Sequence, residues 1–196
     1  MFLAQYLERL LNWMLWIDKA EELLAGAKAL EPLVRSLWDA MKADFKEGRY
    51  NEGGEAPHQP PQNLQGVYFM LVAYALENLF KALIIREHRD YIEDQVLRTR
   101  GKLPKIVNNH DLIRLAKEAH FTIDVPDEDV LTRLRWNSLW AGRYPLPVDC
   151  GGLKNVEVYS DGKGFLVACF YPNDIDRLNA LVQRVKTHVT NALNSL

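Results

Sequence analysis

Cysteine is scarce: Cys150 and Cys169 are the only two in 196 residues. Neither belongs to a CxxC pair or a Cys/His spacing of the kind that holds zinc. The sequence therefore predicts no metal site and two reduced thiols, as in a cytoplasmic protein. Strong charge of either sign is lacking too. A formal net charge of −2 gives no bulk drive toward nucleic acid or an anionic membrane, so any polyanion would need a local basic patch. The chain has no P-loop, GxGxxG, GxSxG or HExxH, which disfavours a kinase or a general hydrolase and implies no cofactor. No segment repeats at a fixed period. Met1 to Leu11 carries Glu8 and Arg9 in an amphipathic pattern with no basic region ahead of it, so no signal peptide is expected.

Apolar residues, by contrast, are plentiful at 48%, enough for one sizeable core at this length. They concentrate in residues 64–88, LQGVYFMLVAYALENLFKALIIREH. From Val67 to Ile85 only Glu77, Asn78 and Lys81 are strongly polar. A helix apolar on most sides is buried on most sides. A membrane span is disfavoured, because an acid or a Lys at mid-span costs roughly 2.5–3.5 kcal/mol. The stretch reads as the central helix of a bundle, with Glu77 and Lys81 one turn apart in the favourable order.

The rest of the chain arranges itself around that helix. Leu3, Leu7, Leu10, Met14, Ile17, Ala20 and Leu24 mark one face of a long first helix. Pro32 fits the first turn of a second helix, with Val34, Leu37, Trp38, Met41 and Phe45 on its apolar side. Residues 1–47 are thus expected to form a helical hairpin. Residues 48–62, GRYNEGGEAPHQPPQ, form a Gly/Pro-rich loop, and 63–196 form the main bundle. YIEDQVLRTR (91–100) continues as helix. Asn109 is placed as an N-cap, with Asp111 in the first turn that follows. Pro126-Asp-Glu-Asp opens another helix, which should end by Gly142, and Arg143-Tyr-Pro-Leu-Pro must be extended. VEVY (156–159) and FLVACF (165–170) around SDGKG read as a hairpin. Asn173, with Asp176 three residues on, caps a last helix whose apolar seam runs Ile175, Leu178, Val182, Val185, Val189, Ala192, Leu196. The fold class is mainly α: an up-and-down bundle of five or six helices with one small β-hairpin before the C-terminal helix.

Four features occur in a fixed order: Ala75-Leu-Glu-Asn-Leu-Phe-Lys-Ala-Leu on the buried helix, His110-Asp-Leu opening a helix, a helix running into Gly142-Arg-Tyr-Pro, and a C-terminal amphipathic helix. Over residues 67–196 this order resembles the HEPN superfamily, the small helical-bundle domains of prokaryotic defence and toxin–antitoxin systems. The resemblance implies a bundle that dimerises. Many such proteins are metal-independent endoribonucleases; others are inactive partners or nucleotide-binding companions. Active members carry an Arg, four to six residues, then a His.

Arg184-Val-Lys-Thr-His188 is the corresponding pair here, with three residues between and a shared helix face. An Arg can stabilise charge on a phosphate while a His moves a proton at the ribose 2′-oxygen. His188 also flanks the apolar seam, where a packed role is the alternative. Arg114 and His120 have the family's spacing on the wrong helix. The resemblance further singles out Glu77, Lys81, His110, Asp111, Arg143 and Tyr144, either as an internal network or as an anion pocket in which Lys81, His110 and Arg143 receive a phosphate. Trp136 and Trp140, beside Arg133 and Arg135, offer a stacking surface for bases or a packed interface. The stretch with Arg86, His88, Arg89, Arg98, Arg100, Lys102 and Lys105 is the most basic in the chain, broken by acids. The leading expectation is a non-catalytic binding or regulatory module for a nucleotide, RNA phosphate or partner protein. The alternatives are the ribonuclease and a protein-interaction scaffold docking through its Trp-rich first helix.

Overall fold

The computed structural model describes residues 2–49, 64–136, 157–158, 165–166, 170–171 and 173–194. Among these the protein is mainly α. Seven helices are described: α1 (Phe2–Leu11), α2 (Trp13–Lys46), α3 (Gln65–Glu87), α4 (Arg89–Arg98), α5 (Leu112–Glu118), α6 (Val125–Trp136) and α7 (Asp174–Asn194). A two-rung antiparallel ladder pairs β1 (Glu157–Val158) with β2 (Phe165–Leu166), Glu157 opposite Leu166 and Val158 opposite Phe165. The connection between these strands lies outside the described residues.

The apolar run at 64–88 is the axis of the molecule. Helix α3 packs against each of the other six helices, and 14 of its 23 residues are buried. It is long and apolar enough to cross a membrane, and 78% of its most apolar window is covered by the protein itself. The final seam meets it as expected: Ile175, Leu178, Val182, Val185 and Val189 are buried, joined by Leu181.

The N-terminal hairpin is not what the chain forms. The helix does not restart at Pro32; it runs unbroken from Trp13 to Lys46 with Pro32 inside. Pro32 has no N–H to give the carbonyl one turn back, a loss that normally breaks a helix. Burial on both sides of it explains the outcome. Ala20, Ala27 and Val34 are buried at seven-residue steps, one stripe laid along α3. A Cβ added at Gly26 would lie 3.4 Å from Leu71, so the two helices approach closely there. The break falls instead at Asn12, whose side chain accepts the Met14 N–H at 3.2 Å. That frees the Leu10 carbonyl, which accepts the Trp16 Nε1–H at 3.1 Å.

Two cap assignments also shift. Asp111, not Asn109, caps α5, its Oδ1 accepting from the N–H groups of Ile113 and Arg114 at 3.1 Å. Asn109 instead accepts the Asp111 N–H. Asp176 does not complete a capping box, because its carboxylate is held by Arg35 of α2 at 2.5 Å. At α6 the first turn carries Asp127 and Glu128 as the sequence implies, and Asp124, just before the helix and not singled out in the sequence, accepts the Asp127 N–H at 2.8 Å.

Candidate functional site

Glu77 lies at mid-length of α3, between buried Leu76 and half-buried Asn78, with Ala73 and Phe80 buried a turn away on either side. A lone carboxylate there would be strongly disfavoured. Two partners answer it. Lys81, one turn on, places Nζ 2.7 Å from Glu77 Oε1, and His110 Nδ1 is 3.0 Å from both carboxylate oxygens. The Glu77 and Lys81 side chains are 8% and 5% exposed, that of His110 55%. A carboxylate only accepts, so Nδ1 carries the proton. The Lys81 ammonium also lies 5.9 Å from the Trp16 ring centroid, a cation–π pair made out of water. The cluster thus runs from a buried ion pair outward to an imidazole whose Nε2 has no partner among the described residues.

Asp111 stands next to that imidazole but is fully occupied. Oδ1 caps α5, while Oδ2 lies 3.3 Å from Arg135 Nη1 of α6. Asp111 therefore ties α5 to α6 through Arg135, which is about half exposed. Arg135 was visible in the sequence only as part of a Trp/Arg helix. Arg143 and Tyr144, also singled out from the sequence, lie outside the described residues, as do Trp140 and both cysteines.

Arg184 and His188 share α7 but engage separate partners. The Arg184 guanidinium bonds both oxygens of Asp127. His188 Nε2 is 2.9 Å from the Ala119 carbonyl, to which it donates. Both flank Phe121, His188 edge-on at 5.5 Å and Arg184 at 5.9 Å. His120 Nε2 lies 3.0 Å from Glu87. In the basic stretch, Arg86 donates to the Ala192 carbonyl and Arg98 pairs with Asp94.

The sequence reading missed a second acid-centred cluster. Asp174, at the start of α7, is fully buried and receives Arg133 through both oxygens, the Tyr171 N–H at 2.6 Å and Arg177 at 3.5 Å. Arg133 also reaches Asp129 at 2.8 Å and sits over the rings of Phe170 and Tyr171. Burial alone would push the Asp174 carboxyl up; the bonds from Arg133, the Tyr171 N–H and Arg177 outweigh it and hold the group below its ordinary value. The signal lay in the spacings Asp129/Arg133 and Asp174/Arg177, each a favourable helical pair.

No group of three or more metal-ligating side chains occurs among the described residues. The fold and this cluster define the protein only as a mainly α helical bundle with a buried acid–Lys pair leading to an exposed His. No family model matches the chain, and neither a curated protein nor a solved structure gives a significant match.

Proposed function

We propose that the chain is a HEPN-like, non-catalytic binding module that takes a phosphate group, of a nucleotide or of RNA, on the face around His110. One observation carries this reading: a buried carboxylate fixes His110 through Nδ1 and leaves the other edge of an exposed ring without a partner among the described residues. An imidazole oriented in this way presents Nε2 in one direction. Arg135 is tied to the neighbouring residue Asp111, and Lys81 pairs with the carboxylate that holds the ring. By the family resemblance Arg143 and Tyr144 complete the site. A prokaryotic defence or toxin–antitoxin role follows from the same resemblance.

The ribonuclease reading requires Arg184 to leave Asp127 and His188 to leave the Ala119 carbonyl before either could meet RNA. Those internal bonds favour binding over cleavage. The deciding experiment incubates the protein with fluorescent single-stranded RNA in EDTA, reading anisotropy and integrity together. Saturable binding without cleavage is expected, with His110→Ala and Arg143→Ala each weakening it about tenfold, the scale of one charge-assisted hydrogen bond. Unchanged affinity in both variants would rule this face out. Cleavage that His188→Ala abolishes would establish the enzyme instead.

A further inference from the structure

A concavity, built independently of the His110 cluster, runs between α2 and α7 over α3. Its volume is about 530 Å³, within the range of small-molecule sites. Two cross-links bound it. Lys186 of α7 meets Glu21 of α2 at 2.7 Å, and Asn179 meets Glu31 at 3.3 Å. Glu21 and Glu31 are ten residues apart, so at 1.5 Å per residue the bridges stand roughly 15 Å apart along α2. Between them the floor is apolar, formed by Leu24, Val72 and Val182.

Two polar groups in this groove are unmatched. Tyr68 lines it with the residue as a whole only 1% exposed; its hydroxyl makes no hydrogen bond among the described residues and is not one of the fully enclosed unpaired atoms, so it opens onto the groove. Buried hydroxyls are normally bonded, and one left open toward a cavity is a waiting donor. Burial pushes the phenol up, with Glu31 adding to the effect, so it stays a neutral hydroxyl. The second group is Lys28. The two acids of the walls are each paired, Glu21 with Lys186 and Glu31 with Arg35 at 2.7 Å. Lys28, on the same stripe of α2 between them, has no ion-pair partner among the described residues. Arg35 is shared with Asp176, so the charges of the walls balance in total, and Lys28 is the cation at the rim that has no direct partner among the described residues.

We infer that the α2–α7 groove binds a small organic carboxylate with an apolar body and a second oxygen at its far end. The carboxylate meets Lys28, the body lies on Leu24, Val72 and Val182, and the far oxygen accepts from Tyr68. A ligand without the second oxygen leaves the Tyr68 hydroxyl as it stands and gains less.

The test uses 4-hydroxybenzoate and benzoate as probes of the full chain, by saturation-transfer NMR titration. The parent is expected to bind 4-hydroxybenzoate about fivefold more tightly than benzoate, the scale of one neutral hydrogen bond. Tyr68→Phe removes one oxygen that has no partner to strand, so the protein should melt as the parent does while the preference disappears. Lys28→Glu should weaken both probes about tenfold, because it replaces an attractive charge with a repulsive one. Ala25→Trp, at an exposed position on the groove wall, should fill the site and abolish both. The inference fails if 4-hydroxybenzoate gives no saturable binding up to about 10 mM, well beyond the millimolar affinity that marks a weak small-molecule site. It also fails if the parent shows no preference between the probes, or if Ala25→Trp leaves binding undiminished.

Discussion

Two clusters in this protein are built on a buried carboxylate, and they end differently. Asp174 is closed on every side: Arg133, Arg177 and the Tyr171 N–H take its oxygens, and Phe170 and Tyr171 cover the Arg133 guanidinium. Glu77 is closed by Lys81 on one side only; on the other it holds His110, more than half of whose side chain faces water. Satisfying a buried charge requires partners but not an exposed, titratable one. The Asp174 cluster is accounted for by joining α6 to α7. The Glu77 cluster carries an extra element that stability alone does not require, and a ligand site explains it.

The largest expected effects come from opening either cluster. Asp174→Ala should lower stability by about 3–5 kcal/mol, because Arg133 and the Tyr171 N–H are deprived of their main acceptor. Urea denaturation reads this directly. Glu77→Ala should cost a similar amount, about 3–5 kcal/mol, through a stranded Lys81. The comparison sharpens in the double variants. Glu77→Ala with Lys81→Met should recover much of the loss, since no buried charge then remains. Asp174→Ala with Arg133→Met should not, because Tyr171 and Arg177 still lack their acceptor and Phe170 its cover. Equal recovery in both would erase the distinction between the clusters.

The same contrast has a pH axis. The Asp174 carboxyl lies below its ordinary value in the folded protein. Its stabilisation is therefore complete above the unfolded value of about 3.9 and is lost as pH falls through the lower folded value. The parent should lose stability steeply below about pH 4. Asp174→Asn, less stable at neutral pH, should show a shallower decline over that window. Parallel curves would show that other acids dominate.

Trp16 tests the idea that the first helical segment is a docking face. The side chain is turned inward, bonded to Leu10 and set against Lys81, whereas Phe2, Tyr6, Met14 and Leu15 are exposed apolar residues of this region. Trp16→Ala should cost about 2 kcal/mol, below the range for a fully buried Trp, with no change in oligomeric state by light scattering. Dissociation without loss of stability would restore the docking role. His110→Ala should cost about 1 kcal/mol, less than opening the ion pair, because the buried Glu77 carboxylate loses one donor but keeps Lys81. Its effect should appear in phosphate binding.

What is legible in the sequence follows from what is local. The core role of 64–88 is plain because apolarity on all sides has few explanations, and the α7 seam because its apolar positions recur at helical spacing from Ile175 onward. Glu77 with Lys81 is visible as the charged interruption of an apolar run. A hairpin at Pro32 is the wrong expectation because propensity is a local tendency, and the buried stripe Ala20–Ala27–Val34 overrides it. Asn12 gives a weak signal, a single residue able to accept an N–H two positions on. The Asp174 cluster depends on Arg133, 41 residues away in sequence, and the α2–α7 groove on bridges between residues 148 and 165 apart. No periodicity records such pairings.

The smallest effect concerns the end of α5. His120 occupies a left-handed conformation, φ 52°, as the residue after the helix cap. The Phe121 N–H returns to the Ala116 carbonyl at 2.9 Å, and the His120 N–H to Lys117 at 3.1 Å. This is the position glycine fills most easily. A non-glycine residue there gives up roughly 1 kcal/mol. His120 is joined to Glu87 at 3.0 Å, but both side chains are largely in water, where such a pair contributes between zero and about 1 kcal/mol. His120→Gly should therefore leave stability unchanged or raise it by up to about 1 kcal/mol, since relief of the left-handed strain outweighs or matches the lost contact with Glu87. Thermal melting of the single variant reads the sum, and Glu87→Gln beside it isolates the contact. A clear loss of stability in His120→Gly, reproduced by Glu87→Gln, would mean that the exposed pair holds the α3 and α5 ends together. His120 would then join Glu77 and Asp174 among the polar groups that shape the fold.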